Sequence, residues 1–484
     1  MNLMRREKIE KFIVVASILL IIVLATFFHF EIHFENALTN IPDANFGVRI
    51  SIWRYIFEPV LGILLFFNRS IYPLKELPFA LIWIIILYLL FGVIQAYKKR
   101  DGSKNVLIKK LSNIPLLLGI CFSIFVLILF IPLPNNTIVN HSKNSILVTT
   151  HAHTEYSHDG LISQEAMWRW HKRNGFDAFF ISDHANHKKT LQFSQAQRNG
   201  EFEIAPLIMV GQEHSGTNHM SLLGLNGKFD TKGMSDKAVI DSVHQYGGAV
   251  IINHWFDGKG KEKEFYHDLG VDGFEVENVG SDLYYDREIF EELKKFCRAN
   301  NLTMIGGLDF HGYGRACSIY NALEIPNWKS IKPNEKERAI LEIFKNGQQD
   351  KIKVLIYKDR DFYSDTNLIF RPFLTLINYF RTLNFIQVIS WVIWILLFQF
   401  SKKRINKNHF NSDKMIVVIA GFCVVFLLSL SVVYYFNGEA VKGYSKVYSE
   451  YFSMLGIIGV ILAIFVFLLT YLRFFKTSIS NHNR

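Results

Sequence analysis

Residues 145–153 read Ser145-Ile-Leu-Val-Thr-Thr150-His151-Ala-His153. A short run of β-formers ends in two histidines two residues apart, and a strand, with its period of two, projects both from one face. The same grammar returns downstream. Ala178–Ser182 leads into Asp183-His184, Leu207–Gly211 into Glu213-His214, Ala249–Ile252 into Asn253-His254, and Thr303–Gly307 into Asp309 and His311. A sixth run, Gly273–Val276, carries Glu275 and is followed by Glu277 and Asn278. Amphipathic stretches of helical length, 161–174, 235–246 and 283–299, fall between several of these runs. Strands alternating with helices predict parallel strands with crossover helices, hence an α/β barrel or an open doubly wound sheet.

In such folds the C-terminal strand ends converge on one face, where catalytic groups gather. Thirteen of the 17 histidines fall between 141 and 311, most directly after a predicted strand. Imidazoles and carboxylates converging on one cavity are prohibitively expensive without a cation to neutralise and coordinate them. His171, His187, His244 and His267 sit in helical or loop stretches and read as ordinary core or surface residues. No G-x-G-x-x-G opens a helix after the first strand, which speaks against a dinucleotide site.

Outside this segment the composition changes. Half of the 484 residues are hydrophobic, 43 of them Phe, and apolar runs near the length that crosses ~30 Å of hydrocarbon occur at 12–30, 78–97, 114–132, 383–400, 415–436 and 452–472. No small-residue cleavage site follows the first run, so it reads as an anchor, not a removed signal peptide. Four segments flanking the spans, 1–11, 98–113, 401–414 and 473–484, hold eighteen Lys/Arg against four acids, which accounts for the whole net charge of +10. The basicity therefore sets membrane orientation and is no nucleic-acid footprint; no nucleic-acid partner is expected. The two short outer stretches, 31–77 and 437–451, hold six Lys/Arg. The expected topology is a multi-pass protein of the cytoplasmic (inner) membrane with both termini cytoplasmic and the central domain extracytoplasmic. The expected division is an N-terminal membrane region, 1–140, a soluble domain, 141–360, and a C-terminal membrane region, 361–484. Charges within 52–67 (Arg54, Glu58) and 367–382 (Arg371, Arg381) favour helices in the membrane interface there, with a short tilted span as the alternative for 52–67. Four cysteines are too few for a disulfide framework; Cys297 and Cys317 read as free buried thiols, with pairing as the alternative.

The central segment resembles the PHP (polymerase and histidinol phosphatase) family of metal-dependent hydrolases. The resemblance rests on five motifs in order: His151-Ala-His153-Thr-Glu-Tyr-Ser157-His-Asp159-Gly160, Ile181-Ser-Asp183-His184, Gly211-Gln-Glu213-His214 with His219-Met-Ser-Leu-Leu-Gly, Ile252-Asn-His254, and Gly307-Leu-Asp309-Phe-His311-Gly. The order Ser-His-Asp-Gly and the Gly-Gln-Glu-His run look like the branch that includes carbamate-hydrolysing enzymes. What the resemblance implies is a distorted seven-stranded (β/α) barrel holding two or three divalent ions. One ion would take His151, His153, Glu213 and Asp309; a second would share Glu213 and add His219 and His254. A third would take Asp159, His184 and His311, with His158 a competitor for the corner of Asp159.

Imidazole and carboxylate donors suit Zn²⁺, Mn²⁺ or Fe²⁺. An ion pair ~3.5–4 Å apart binds a hydroxide, orients a phosphoryl oxygen and stabilises the leaving oxygen. The expected activity is hydrolysis of a phosphate ester in a di- or trinuclear centre. The alternative is hydrolysis of a carbamate, amide or carboxylic ester in the same centre, and a metal-binding sensor is the third reading. Beside Glu213, three further catalytic candidates each carry a plain alternative. Asp183 orients a ligand imidazole or caps the following segment; His214 protonates a leaving group or only packs; Arg315 holds a phosphate or is an exposed loop residue. Glu275, Glu277 and Asn278 are candidates for the pocket wall, although they cannot all point inward. The spans make the lipid bilayer a partner and bias the expected substrate from phosphorylated small molecules toward lipid-linked or envelope-derived ones.

Overall fold

All six runs expected as strands are strands, and each buries both faces. The computed structural model describes residues 2–68, 73–98, 103–184, 187–227, 230–278, 287–314, 318–361, 367–404 and 412–472. Among these, β1 (His33–Asn36), β2 (Ile41–Pro42), β3 (Phe46–Arg49), β4 (Thr137–Asn140), β5 (Ser145–Thr149), β6 (Ala178–Ile181), β7 (Leu207–Ser215), β8 (His219–Leu223), β9 (Ala249–Ile252), β10 (Gly273–Asn278), β11 (Thr303–Gly307), β12 (Ile319–Glu324) and β13 (Ile352–Lys358) form two sheets. The large sheet has eleven strands in the order β11-β10-β9-β8-β7-β6-β5-β12-β13-β1-β2, and β3 pairs with β4 in the small one.

Two parallel blocks, β5-β6-β7 and β9-β10-β11, are joined through β8, which runs antiparallel to both its neighbours. Sequence reading did not anticipate β8, because His219–Leu223 follows β7 after only three residues and has no helix before it. The reversal has a consequence for the site: the beginning of β8 lies beside the end of β7, so His219 pairs with Ser215. The three expected amphipathic helices form at Gln164–Arg173, Asp236–Gln245 and Arg287–Ala299. Ser163 and Ser235 cap the first two, each hydroxyl accepting the backbone N–H three residues on. The third buries Phe290, Leu293, Lys294 and Cys297, one stripe at i, i+3, i+4 and i+7.

The backbone ladder of the expected seven-stranded barrel does not close. In the strand order β11 is an edge, and β12 lies seven places away beside β5. A side chain bridges the gap: Asn321 on β12 accepts the Gly306 N–H at 2.7 Å and donates to the Gly306 carbonyl at 2.9 Å. The amide side chain does for the β11 edge what a peptide group of a neighbouring strand would do.

The sheet also recruits residues from between the first two apolar helices. β1 lies antiparallel on β13, and Phe34 packs edge-on against Tyr320 and Tyr357. Lys294, fully buried, donates to the Ala37 carbonyl at 2.8 Å and pairs with Glu277 at 3.1 Å, fastening this segment to the helix that carries it. The soluble fold therefore begins before residue 141.

Among the described residues, five helices are long and apolar enough to cross a membrane: Lys8–Phe27, Glu76–Tyr97, Val106–Phe130, Lys414–Ala440 and Val447–Thr470. The fourth expected span is the second limb of a pair, Arg371–Arg381 and Phe385–Ser401, bent by 113°. Large side chains such as Phe12, Phe27, Phe422 and Phe467 face outward from these helices, as lipid contact requires. The mixed stretch 52–67 folds as three short helical pieces in which Arg54 and Glu58 are buried and joined by two hydrogen bonds, 3.0 and 3.2 Å. Tyr379 of the bent pair donates to the same carboxylate at 3.0 Å. Cys297 is free and buried; Cys317 lies outside the described residues.

Replacing Asn321 by Ala leaves the Gly306 N–H and carbonyl buried without partners, at a cost of about 1–3 kcal/mol for each unsatisfied group. Asn321→Ala in the full chain is expected to lower the thermal midpoint by several degrees, whereas an unchanged midpoint would show that Gly306 finds other partners.

Candidate metal centre

Parallel topology brings the strand ends together, and local backbone then aims the side chains. His151 and His153 leave the end of β5 and are fully buried, with their rings 5.1 Å apart. Glu213, near the end of β7 and 2% exposed, stands at the centre. Its Oε1 lies 3.2 Å from His151 Nε2, 3.1 Å from His219 Nδ1 and 3.4 Å from His254 Nε2. Its Oε2 lies 3.2 Å from His153 Nε2 and 3.1 Å from His184 Nε2. Asp309 Oδ1 approaches His151 Nε2 at 3.1 Å and His153 Nε2 at 3.4 Å. Asp159 Oδ2 lies 3.0 Å from His311 Nε2 and 3.5 Å from His184 Nε2. All nine residues named from sequence as ligands thus share one cluster, and each belongs to at least one triad whose donor atoms lie within 4.8 Å of one another. His158 is largely exposed and 3.9 Å from Asp159, beside this corner and not in it.

Two of the nine adopt a backbone that L-residues avoid. His254 has φ 30° and Asp309 φ 47°; the other non-glycine residues with positive φ are all Asn, which tolerates this region. Such strain costs about 1–3 kcal/mol per residue and persists where the surroundings impose it. Here it turns two side chains that follow β9 and β11 back toward Glu213.

Behind the donors stands a layer with little signature in the sequence. Glu275 Oε1 lies 2.8 Å from His151 Nδ1, both groups fully buried, and its Oε2 accepts the His254 N–H at 3.1 Å. Gly307 is required beside it, because a Cβ there would lie 2.2 Å from the Glu275 carboxylate. Asp257 Oδ2 lies 3.2 Å from the outer nitrogen of His254 as an ion-pair contact, Asn253 donates to Glu213 at 2.8 Å, and Ser157 donates to Asp159 at 2.6 Å. A carboxylate on the far nitrogen of an imidazole fixes its tautomer and aims the other lone pair inward. The period-two rule, which puts Glu275 and Glu277 on one face, was the one signal available. The register slips between them, however: both are fully buried, but Glu277 pairs with Arg287 and Lys294, and Asn278 joins Glu275 beside the cavity.

The three remaining catalytic candidates part company. Asp183 accepts the Thr154 N–H at 2.5 Å and the Thr154 hydroxyl at 2.7 Å, so it holds the loop after His153 and touches no imidazole among the described residues. Burial pushes its carboxyl up to about 6. His214 alternates away from Glu213 and lines a neighbouring cleft of about 620 Å³ with His158, Lys232 and Asp236. Burial lowers its pKa, keeping the ring neutral. Arg315 lies outside the described residues. His171 is a core residue, as expected: its ring stacks on Phe179 at 3.9 Å, and burial pushes its pKa down to about 3.

The donors fit divalent ions. His153 Nε2 is buried and makes no hydrogen bond of acceptable geometry, although two carboxylates lie within 3.4 Å. Burial works against protonating the rings, but the carboxylates outweigh it: His153 and His254 are pushed up to about 10 and His151 well above its usual value. Against the cost of desolvation, the imidazoles hold Glu213 and Asp309 well below the carboxylate range. Ion binding at these donors therefore competes with protons. The cavity over the donors, about 250 Å³, is also lined by Phe256, Lys259 and Asn278.

No curated protein matches the chain. Among solved structures, a two-domain protein from Bacteroides vulgatus ATCC 8482 containing a predicted PHP-like metal-dependent phosphoesterase is similar over 48% of this chain and 69% of that one, at 18% identity and a TM-score of 0.32. PsfC from Pseudomonas syringae PB-5123 is similar over 49% of this chain and 98% of its own, at 16% identity and a TM-score of 0.32. The family model described as PHP domain matches residues 149–307. Seven of the nine converging side chains lie inside that segment, Asp309 and His311 follow within four residues of its end, and residues 149–307 are accordingly a PHP domain.

Proposed function

We propose that the chain is a membrane-anchored, metal-dependent phosphoesterase whose active site faces away from the cytoplasm. The observation that carries the reading is the convergence of six imidazoles and three carboxylates on one small cavity, with the buried Nε2 of His153 lacking a hydrogen bond. Divalent ions held by such donors supply Lewis acidity and a lowered pKa for water. The residues around them supply the rest. Glu213 reaches four imidazoles of the cluster within 3.2 Å and a fifth, His254, at 3.4 Å, so it would help to hold more than one ion. Glu275 and Asp257 orient His151 and His254 from behind. Lys259, 81% exposed at the mouth of the cavity, offers a cation to an approaching anionic ester.

Membrane proximity supports a lipid-linked or envelope-derived substrate. A larger cavity, about 1050 Å³, does not hold the donors. It lies on the other side of the 310–314 loop, between the end of helix Val106–Phe130 and helix Gln164–Arg173, with Phe130, Leu133, Trp168, Arg49 and Arg173 in its wall. Apolar and cationic groups side by side at a helix end suit an anionic amphiphile.

Purified full-length protein loaded with Mn²⁺, Zn²⁺ or Fe²⁺ is expected to hydrolyse p-nitrophenyl phosphate in marked preference to p-nitrophenyl acetate, with activity lost in Asp309→Ala. The reverse preference would move the assignment to carboxylic esters, amides or carbamates. Glu275→Gln is expected to weaken ion binding or turnover by about 10–100-fold, the usual cost of losing a group behind a ligand; wild-type affinity and turnover would remove its orienting role. A cysteine placed at the exposed position of Lys259 is expected to react with an impermeant maleimide in intact cells, above the background of the unsubstituted chain. Labelling only after lysis would invert the topology.

A further inference from the structure

Most of the nine donors are placed by strands, but Asp159 is not. It sits ten residues past the end of β5 in the loop 154–162 and meets His311, which follows β11 on a second loop. Both loops rest on apolar helices. The loop between helices Ser412–Ala440 and Val447–Thr470 grips the first one: the Lys446 N–H donates to the His158 carbonyl at 2.9 Å, and the Ser445 hydroxyl to the Gly160 carbonyl at 2.7 Å. These two carbonyls flank Asp159. The Tyr444 ring packs edge-on against Tyr156 at 5.1 Å, and Leu161 is buried among side chains of three apolar helices. The second loop is held in the same way. The Gly314 N–H donates to the Leu129 carbonyl at 2.7 Å, and Tyr313 stands between His311 and the rings of Phe130 and Tyr451. The loops are tied to each other by the Leu161 N–H, which donates to the His311 carbonyl at 2.8 Å. The turn is also tight from within, since a Cβ on Gly160 would lie 1.9 Å from the Thr154 carbonyl oxygen.

We propose that the hairpin of the last two apolar helices is a positioning element of the metal centre: through Ser445 and the Lys446 backbone it holds Asp159 against His184 and His311. It thereby sets the affinity of the ion bound at that corner. The inference rests on the metal-centre reading and goes beyond it, because it gives the helices a part in the site as well as in anchoring. Ions held mainly by Glu213 and the strand-borne histidines do not depend on this contact.

The test uses the full chain in nanodiscs. Lys446 has φ −82°, close to the range of proline, so Lys446→Pro removes the N–H at an allowed geometry. The double variant Ser445→Ala/Lys446→Pro is compared with Ser445→Thr/Lys446→Ala, which keeps both donors, and with Asp159→Asn, which defines loss of the corner. Ions per chain are counted after Mn²⁺ loading, and hydrogen–deuterium exchange is followed in peptides spanning 155–162. The donor-less variant is expected to lose the ion that Asp159→Asn loses, with about 10–100-fold weaker affinity there, and to exchange faster in 155–162. The donor-retaining variant is expected to match wild type in both. A full ion count in the donor-less variant overturns the proposal, even where exchange rises, because the contact is then structural only. A wild-type chain that binds no Mn²⁺, Zn²⁺ or Fe²⁺ overturns the metal-centre reading itself.

Discussion

The constraint that organises this protein is electrostatic: four carboxylates, Glu213, Asp309, Asp159 and Glu275, stand among six imidazoles, with Glu213, Glu275, His151 and His153 buried at the centre. Either group buried alone would cost several kcal/mol, so the arrangement persists only if each neutralises the other or both share a cation. Much of the surrounding structure answers this demand. His254 and Asp309 accept left-handed backbone to face the centre, β8 runs backwards so that its first residue does so, and Gly307 gives up a side chain to make room for Glu275. A core of Val, Ile and Leu would be satisfied by hydrophobic burial alone and would need none of these devices.

The sheet that presents these groups is held by unequal means. Its two parallel blocks bury nearly all their side chains, and the apolar ones contribute about 1.5–3 kcal/mol each. Its closure across β11 and β12 depends on one amide, because the strands there are not hydrogen-bonded through their backbones. Gly306 lets β12 and β13 come close on that side: a Cβ there would meet Ile319 at 2.4 Å and Val354 at 2.9 Å, so their side chains fill the space over β11. The result is the contour of a barrel with a side-chain seam in place of a final ladder.

What the sequence made legible follows from the range of its signals. Strand runs ending in His, Asp or Glu are local patterns, and all six strands and seven of the nine donors could be read from them; Asp159 and His219 came only with the resemblance to the PHP family. Local pattern fails where the partner is distant. Phe34 becomes a core residue because β13, some 320 residues later, pairs with β1, and nothing near His33–Asn36 announces this. Glu275 reads as a pocket-wall residue until the fold places His151 in front of it. Asp183 resembles a ligand neighbour in sequence, yet Thr154 claims both its oxygens. Charges in the stretch 52–67 argued against mid-membrane placement, and they are satisfied by each other and by Tyr379, a partner more than 300 positions away.

The same distant pairings bear on what the functional unit is. A soluble domain cut from its anchors at 141 and 360 would lack β1 and β2, which cover the β13 edge, and the Ala37 carbonyl that receives the buried ammonium of Lys294. It would also lack the Ser445 and Leu129 contacts beneath the two loops that bear Asp159 and His311. An edge strand stripped of its partner exposes unpaired N–H and C=O groups, and a buried lysine stripped of an acceptor is left under-coordinated in a dry environment. The apolar helices and the sheet that carries the PHP domain are therefore interleaved in sequence and in space. The segments that enter and leave the helices are also the ones that complete the sheet and seat the metal-facing loops, and this ties the geometry of the centre to the packing of helices around it.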